Sequence, residues 1–196
     1  MGRRSDHTRE ELRELILEEG HRQLSEVGFA RFSAREVAKG IGYSIGTIYN
    51  VFGSYSALML ALNGRTLDIW LAFLEERLAG REKDRLDAAI EAYFDFALGH
   101  RHAWTALYDF RLPAGELPSE SYREKVEAIT GVIVREIAAV LPADARQHAL
   151  PLARSLLASV HGHCFFAING TFAMLGEQDP VGAAKARVAE ALARYG

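Results

Sequence analysis

The chain has 196 residues, 49% apolar and 25% charged, with a net charge of −3 at neutral pH, which suits a globular protein with one large core or two small ones. Charges interrupt the apolar runs, so no membrane span is expected, and Arg3-Arg4 is followed by polar residues, so neither a secretory nor a twin-arginine signal is expected. The single cysteine, Cys164, excludes an internal disulfide and fits a reducing, cytoplasmic setting.

The punctuation predicts helices throughout. Thr8-x-x-Glu11 reads as a capping box opening a helix to about Val27, with Leu12, Leu15, Ile16 and Leu24 as its apolar stripe and Gly28 as its stop. Ser33-x-x-Glu36 reads as a second box, opening a short helix to Lys39, and Gly40-Ile41-Gly42 breaks it. Ser44 caps a third helix, Ile45 to Val51. After Gly53, Ser54 caps a long fourth helix to about Leu78. Further on, Leu86, Ala89, Ile90, Tyr93, Phe94 and Ala97 share a face, and Trp104, Leu107, Tyr108 and Arg111 continue on another helix. Pro113 to Pro118 is a loop, Ser121-x-x-Glu124 opens the next helix, an apolar helix runs from about Ala145 to Phe172, and Asp179-Pro180 starts the last one. No segment alternates with period two between turns, so no strand is expected. The expected fold class is all-α: an N-terminal three-helix helix-turn-helix domain over residues 1–53 and a larger helical domain over residues 54–196.

Two short helices joined by a tight glycine turn, after a longer helix, have the layout of a helix-turn-helix. The second, Ser44 to Phe52, is slim enough for a major groove. Ile48 and Phe52, four apart, can anchor it, while Ile45, Thr47, Tyr49 and Asn50 can project outward as groups suited to base edges and phosphates. The charge is distributed accordingly. Met1 to Arg9 carries three arginines against one aspartate, and Phe29 to Phe52 carries Arg31, Arg35 and Lys39 against Glu36. Glu10 to Gly28, between them, holds six glutamates against two arginines.

The stretch FSAREVAKGIGYSIGTIYNVFGSYSAL, from Phe32 to Leu58, resembles the signature of TetR-family regulators. The likeness rests on Glu36-Val37-Ala38, Gly42, the Gly46-Thr47-Ile48-Tyr49 run and Phe52. Helix order fits the family along nearly the whole chain, and Ser159 to Phe172 is similar to the dimer-forming helix of some members. The resemblance implies a ligand-responsive repressor, not an enzyme, that binds a palindromic operator as a homodimer. It implies that Thr47 and Tyr49 meet the DNA backbone, while Ile45, Gly46 and Asn50 lie against bases. Arg3, Arg4, Ser33, Arg35, Ser44 and Tyr55 complete the expected DNA-binding set. Family members often carry a lysine just after the cap of the fourth helix, where it meets a phosphate at a positive helix end. This chain carries Tyr55 there.

Other motifs have plainer explanations. Gly42-Tyr43-Ser44-Ile45-Gly46 matches a hydrolase nucleophile elbow, but that chemistry needs an entering strand, and a helix cap explains Ser44. His161-x-His163-Cys164 and His100-x-His102 place residues about 200° apart on a helix, so neither pair chelates alone. A site combining histidines of both segments stays open, but no metal or cofactor is expected. Cys164 reads as a small buried hydrophobe. Trp70, Tyr93, Trp104, Tyr108, His163 and Phe166 are the expected lining of a small-molecule effector pocket, with ordinary core packing as the plain alternative. Ala158 and Gly162, with Val188 and Leu192 of the last helix, are the expected dimer interface. The expected partners are therefore double-stranded DNA, a small-molecule effector and a second copy of the chain.

Overall fold

The computed structural model describes residues 7–195. They contain ten α-helices and no strand. The helices are α1 (Arg9–Val27), α2 (Ala34–Gly40), α3 (Ile45–Phe52), α4 (Tyr55–Leu78), α5 (Arg85–Gly99), α6 (Arg101–Asp109), α7 (Glu120–Val140), α8 (Ala149–Ile168), α9 (Thr171–Leu175) and α10 (Pro180–Leu192). The chain forms two compact units: Met1–Asp68 with His102–Arg123, and Ile69–Arg101 with Glu124–Gly196.

In the first unit, local chemistry sets the helix ends. Thr8 Oγ1 accepts from Glu11 N–H, and Glu11 returns a carboxylate to Thr8 N–H at 2.7 Å. Those bonds hold the Glu11 carboxyl below its ordinary pKa. Ser33, Ser44 and Ser54 each accept a backbone N–H three residues on. Gly42 and Gly53 hold φ of 77° and 85°, in the left-handed region that favours glycine. They turn the chain sharply on either side of α3. Leu24, Val37, Ile48, Leu58 and Leu62 are fully buried in one cluster. Burying an aliphatic side chain of this size contributes roughly 1.5–3 kcal/mol, so the short helices α2 and α3 are held by shared packing more than by their own helicity.

The same unit contains a small polar interior. Asn63 is 1% exposed and donates from Nδ2 to the Ala106 carbonyl of α6 at 3.2 Å. Among the described residues no donor reaches its Oδ1. Thr66, equally buried, lies 3.1 Å from His21 Nε2 of α1. His102 Nδ1 lies 3.0 Å from the Ser25 carbonyl near the end of α1.

In the second unit, α8 packs on α5 and α10, and α10 also packs on α5. Lys185 of α10 bridges to Glu91 at 2.6 Å and Asp87 at 3.6 Å, both on α5. Arg85 makes a two-pronged bond to the buried Glu136 of α7, at 2.7 and 2.9 Å, and donates to the Leu78 carbonyl ending α4. The guanidinium holds the Glu136 carboxyl below the usual glutamate range, and Arg135 adds to this.

Four sequence expectations are corrected. The cap of α7 is Ser119, whose Oγ accepts from Tyr122 N–H, rather than Ser121. The expected Ala145–Phe172 helix is broken at both ends: Ala143–His148 is a 3₁₀ segment, and Asn169-Gly170 separates α8 from α9. Gly170 has φ of 81°, and Asn169 Oδ1 accepts from Thr171 N–H and Oγ1–H, a local turn that competes with the helix. Arg111 lies beyond the end of α6. Finally, α4 is long and apolar enough, by length and composition alone, to cross a membrane, since only Arg65 and Asp68 interrupt its middle. Half of its apolar stretch is buried within the protein, as in a core helix.

Candidate nucleic-acid interface

The surface around α3 is built outward from Ile48, which is fully buried and fixes the helix on the core of the first unit. Phe52, one turn on, packs at the edge of that core beneath the Arg13 guanidinium, 4.8 Å from its ring centre. The opposite face carries Ser44, Gly46, Tyr49 and Asn50, all exposed. Ile45 turns partly inward against the core, and Thr47 is half-buried with Oγ1 3.0 Å from Ser44 Oγ. The outward hydrogen-bonding groups are thus Tyr49 and Asn50, and Gly46 leaves the backbone between them and the cap bare.

Two further helix N-termini of this unit carry residues of the expected DNA-binding set. Ser33 caps α2 while its own N–H donates to Gln23 Oε1 at 2.9 Å, and Arg35 stands exposed in the first turn. Tyr55 is the first residue of α4, as the spacing predicts. Its ring is half-buried and tilted against Phe32, with centroids 6.4 Å apart. Burial raises its hydroxyl pKa, and neighbouring Tyr49 adds to the rise. Arg3 and Arg4 lie outside the described residues.

Sequence reasoning missed part of this surface. Tyr43 Oη, just before the cap of α3, lies 2.9 Å from His7 Nδ1, and Arg9 donates to the Val51 carbonyl near the end of α3 at 3.5 Å. These contacts span 36 and 42 residues, and no local pattern encodes them.

The other expected site residues separate by unit. In the second unit, Trp70 and Tyr93 meet edge-on at 5.7 Å, and His163 and Phe166 each contact Phe172, at 5.7 and 5.5 Å. In the first, Trp104 and Tyr108 meet edge-on at 5.4 Å. Trp70 also packs on Phe96, 5.1 Å away; Trp70, Tyr93 and Trp104 are core, His163 is half-buried, and Tyr108 and Phe166 are exposed. Ala158 is exposed on α8, and Gly162 has open space where a Cβ would point. Leu192 is half-buried. Val188 is 3% exposed and packs within its own unit, so it supports the α10 surface from behind rather than facing outward. Cys164 is fully buried, and burial pushes its thiol up to about 12. Among the described residues, no group of three or more histidines, cysteines or carboxylates is placed to hold a metal ion.

A capped recognition helix locked by one buried isoleucine, after a second short helix and a glycine turn, defines a helix-turn-helix DNA-binding protein. Residues 16–62 match the model of bacterial regulatory proteins of the tetR family, and residues 86–192 match the tetracyclin repressor-like C-terminal domain. The chain belongs to the TetR family and is a DNA-binding transcriptional regulator.

Solved structures agree on the fold. A protein of unknown function from Rhodococcus sp. RHA1 is 26% identical, with 95% of each chain covered and a TM-score of 0.69. The multidrug binding protein EbrR, in complex with imidazole, is 18% identical, with 95% of this chain and 96% of that one covered and a TM-score of 0.63. A TetR-like transcriptional regulator, also from Rhodococcus sp. RHA1, is 20% identical, with 93% of each chain covered and a TM-score of 0.56. No curated protein matches the chain.

Proposed function

We propose that this regulator is a cytoplasmic, non-enzymatic repressor that binds a palindromic operator as a homodimer and releases it when a small molecule occupies its C-terminal part. The observation that carries the reading is the exposed Tyr49–Asn50 facet of α3, presented by a helix whose other side is buried through Ile48. Asn50 has the donor and acceptor pair that reads a base edge, and Tyr49 has a hydroxyl suited to phosphate. Thr47, Ser44, Ser33, Arg35 and Tyr55 are assigned to the backbone, and Ile45 and Gly46 to base contacts. Residues 1–53 are proposed as the DNA-binding part and residues 54–196 as the effector-binding and dimerising part. Two copies joined through Ala158, Gly162 and Leu192 would present recognition helices to successive major grooves, about 34–36 Å apart. An effector that favours another spacing weakens DNA binding by its differential affinity for the two states.

The deciding experiment is binding of the full chain to the DNA flanking its own gene, against random DNA, over a range of salt. Protection of a two-fold symmetric site is expected, with affinity at least about a thousandfold above non-specific binding. Equal affinity for both DNAs at every salt concentration would defeat the reading.

A further inference from the structure

The second unit holds a cavity of about 30 Å³ among α5, α7, α8 and α10. Its wall is hydrocarbon: Leu86, Ile90, Ile133, Leu156 and Val160 are typical of it, and Tyr93 is the one lining residue with a polar side-chain atom. No charged side chain lines it. Voids with aliphatic walls stay dry and take up apolar guests, whereas a polar void of this size would hold water. The wall is also asymmetric. Ile90, Ile137 and Tyr93 are buried, while Leu86, Ile133 and Leu157 are only half-buried and mark the side towards solvent.

This geometry restricts the occupant. An ion would be desolvated against hydrocarbon with no counter-charge at the wall, which costs far more than burial of its apolar part returns. A bulky rigid ring cannot enter a space this small without parting the helices. A slender chain can seat its end in the void and lay the rest along the half-buried side. The one polar atom in the wall faces a histidine: the Tyr93 hydroxyl lies 2.9 Å from His161 Nδ1, and burial lowers the pKa of that imidazole. Charged side chains, among them Arg85, Asp87 and Glu136, line a neighbouring cleft that shares Leu86 and Val188 with this wall.

We infer that this void is the seat of the effector, and that the effector class is neutral, slender, mostly hydrocarbon molecules carrying at most one hydroxyl-like group. The inference rests on the ligand-responsive reading above for its regulatory consequence, but binding itself is independent of that reading. It also separates the cavity from the wider aromatic set, since Tyr93 is the one member of that set in the wall. The wall that the seated end would touch includes Leu156 and Val160 of α8 and Val188 of α10. That places the effector against the two helices assigned to dimerisation.

The test uses four eight-carbon probes, octan-1-ol, octane, octanoate and octylammonium, titrated into the DNA-free full chain by calorimetry. Trp70, edge-on to Tyr93, supplies a fluorescence signal. Octan-1-ol should bind with a negative heat-capacity change, and both ions at least tenfold more weakly. Two variants probe the location: Ile133→Trp covers the half-buried side, and Ala89→Val fills the wall. Each should weaken octan-1-ol binding at least tenfold, and if one misfolds the other still decides. Tyr93→Phe should cut the preference for octan-1-ol over octane about threefold. Ions binding as tightly as the alcohol, or wild-type binding by a folded Ile133→Trp or Ala89→Val protein, overturns the inference. Operator affinity measured in parallel separates the two ideas: alcohol binding with unchanged operator affinity sinks the ligand-responsive reading and leaves the binding site standing.

Discussion

Replacing Tyr55 by lysine tests whether the start of α4 meets DNA, and the structure separates its two effects. In the DNA-free protein Tyr55 packs on the core of the first unit, and its ring pairs with Phe32. Losing such an aromatic pair costs about 0.5–1.5 kcal/mol. A cation at a helix N-terminus costs about 0.3–1 kcal/mol more, while the lysine stem keeps part of the apolar contact. Tyr55→Lys should therefore lower unfolding stability by about 1–2 kcal/mol, read from urea melts without DNA. On DNA the same charge becomes an asset. One extra neutralised phosphate steepens the slope of log K against log salt by about 0.9, and two protomers give nearly two units. Over the range from about 50 to 200 mM salt this is an extra loss of about tenfold in affinity, equal on operator and random DNA because a phosphate carries no sequence. Tyr55→Phe is the control: it keeps the ring and removes only the hydroxyl, so stability should hold. If Tyr55→Lys folds and binds with an unchanged salt slope, this side chain does not face the backbone, and the proposed seating of α4 on DNA is wrong.

Asn50→Ala should relax base preference, whereas Tyr49→Phe should weaken binding to all sequences alike; titrations on operator and random DNA decide, and equal loss on both for Asn50→Ala contradicts its role. Gly162→Leu should leave the protomer's melting unchanged, since its Cβ would meet nothing within 4 Å, yet shift sedimentation towards monomer at micromolar concentration; an intact dimer removes Gly162 from the interface. Asn63→Leu should be neutral to about 2 kcal/mol stabilising, because a hydrogen bond worth roughly 1 kcal/mol is exchanged for relief of a buried acceptor costing roughly 1–3 kcal/mol. A loss above about 2 kcal/mol would mean Oδ1 is satisfied in solution. Glu136 has a folded-state pKa below its unfolded value, so its stabilisation is present above the ordinary glutamate range near pH 4.3 and is lost as pH falls through the folded value. Glu136→Gln should flatten that acid limb in melts from about pH 6 to 2.

What was legible in the sequence was local. Thr8, Ser44, Ser54 and Asp179 cap the helices assigned to them because a cap is decided within three residues. The errors arose where two local signals competed. Ser119 stands just before α7 and Ser121 is its second residue; the Ser-x-x-Glu spacing points to Ser121, while the cap bond forms at Ser119. Asn169-Gly170 is a turn signal inside an apolar run, and the run outweighed it in the reading although the turn prevails in the fold. Long-range chemistry was not legible at all: Asn63 with Ala106 and Arg85 with Glu136 join residues 43 and 51 positions apart.

The same division explains why the exposed facet of α3 was legible in the sequence and the aliphatic cavity of the second unit was not. A recognition helix must expose particular side chains at fixed spacing beside one buried anchor, so Ile48, Tyr49 and Asn50 carry its signature within three positions. A cavity has no such constraint. Any aliphatic residues serve as its wall, and they come from four helices spread over about a hundred residues. Aromatic residues attract attention in a sequence, but Trp70, Phe73 and Phe96 pack on one another at tilted angles, 5.1–6.3 Å between ring centres, as core rings do. Tyr93 belongs to both groups, because it packs against Trp70 and also lines the cavity. An effector that displaces the hydrocarbon side of Tyr93 therefore disturbs the Trp70 contact as well, which links the occupancy of an otherwise featureless void to the aromatic core of the unit.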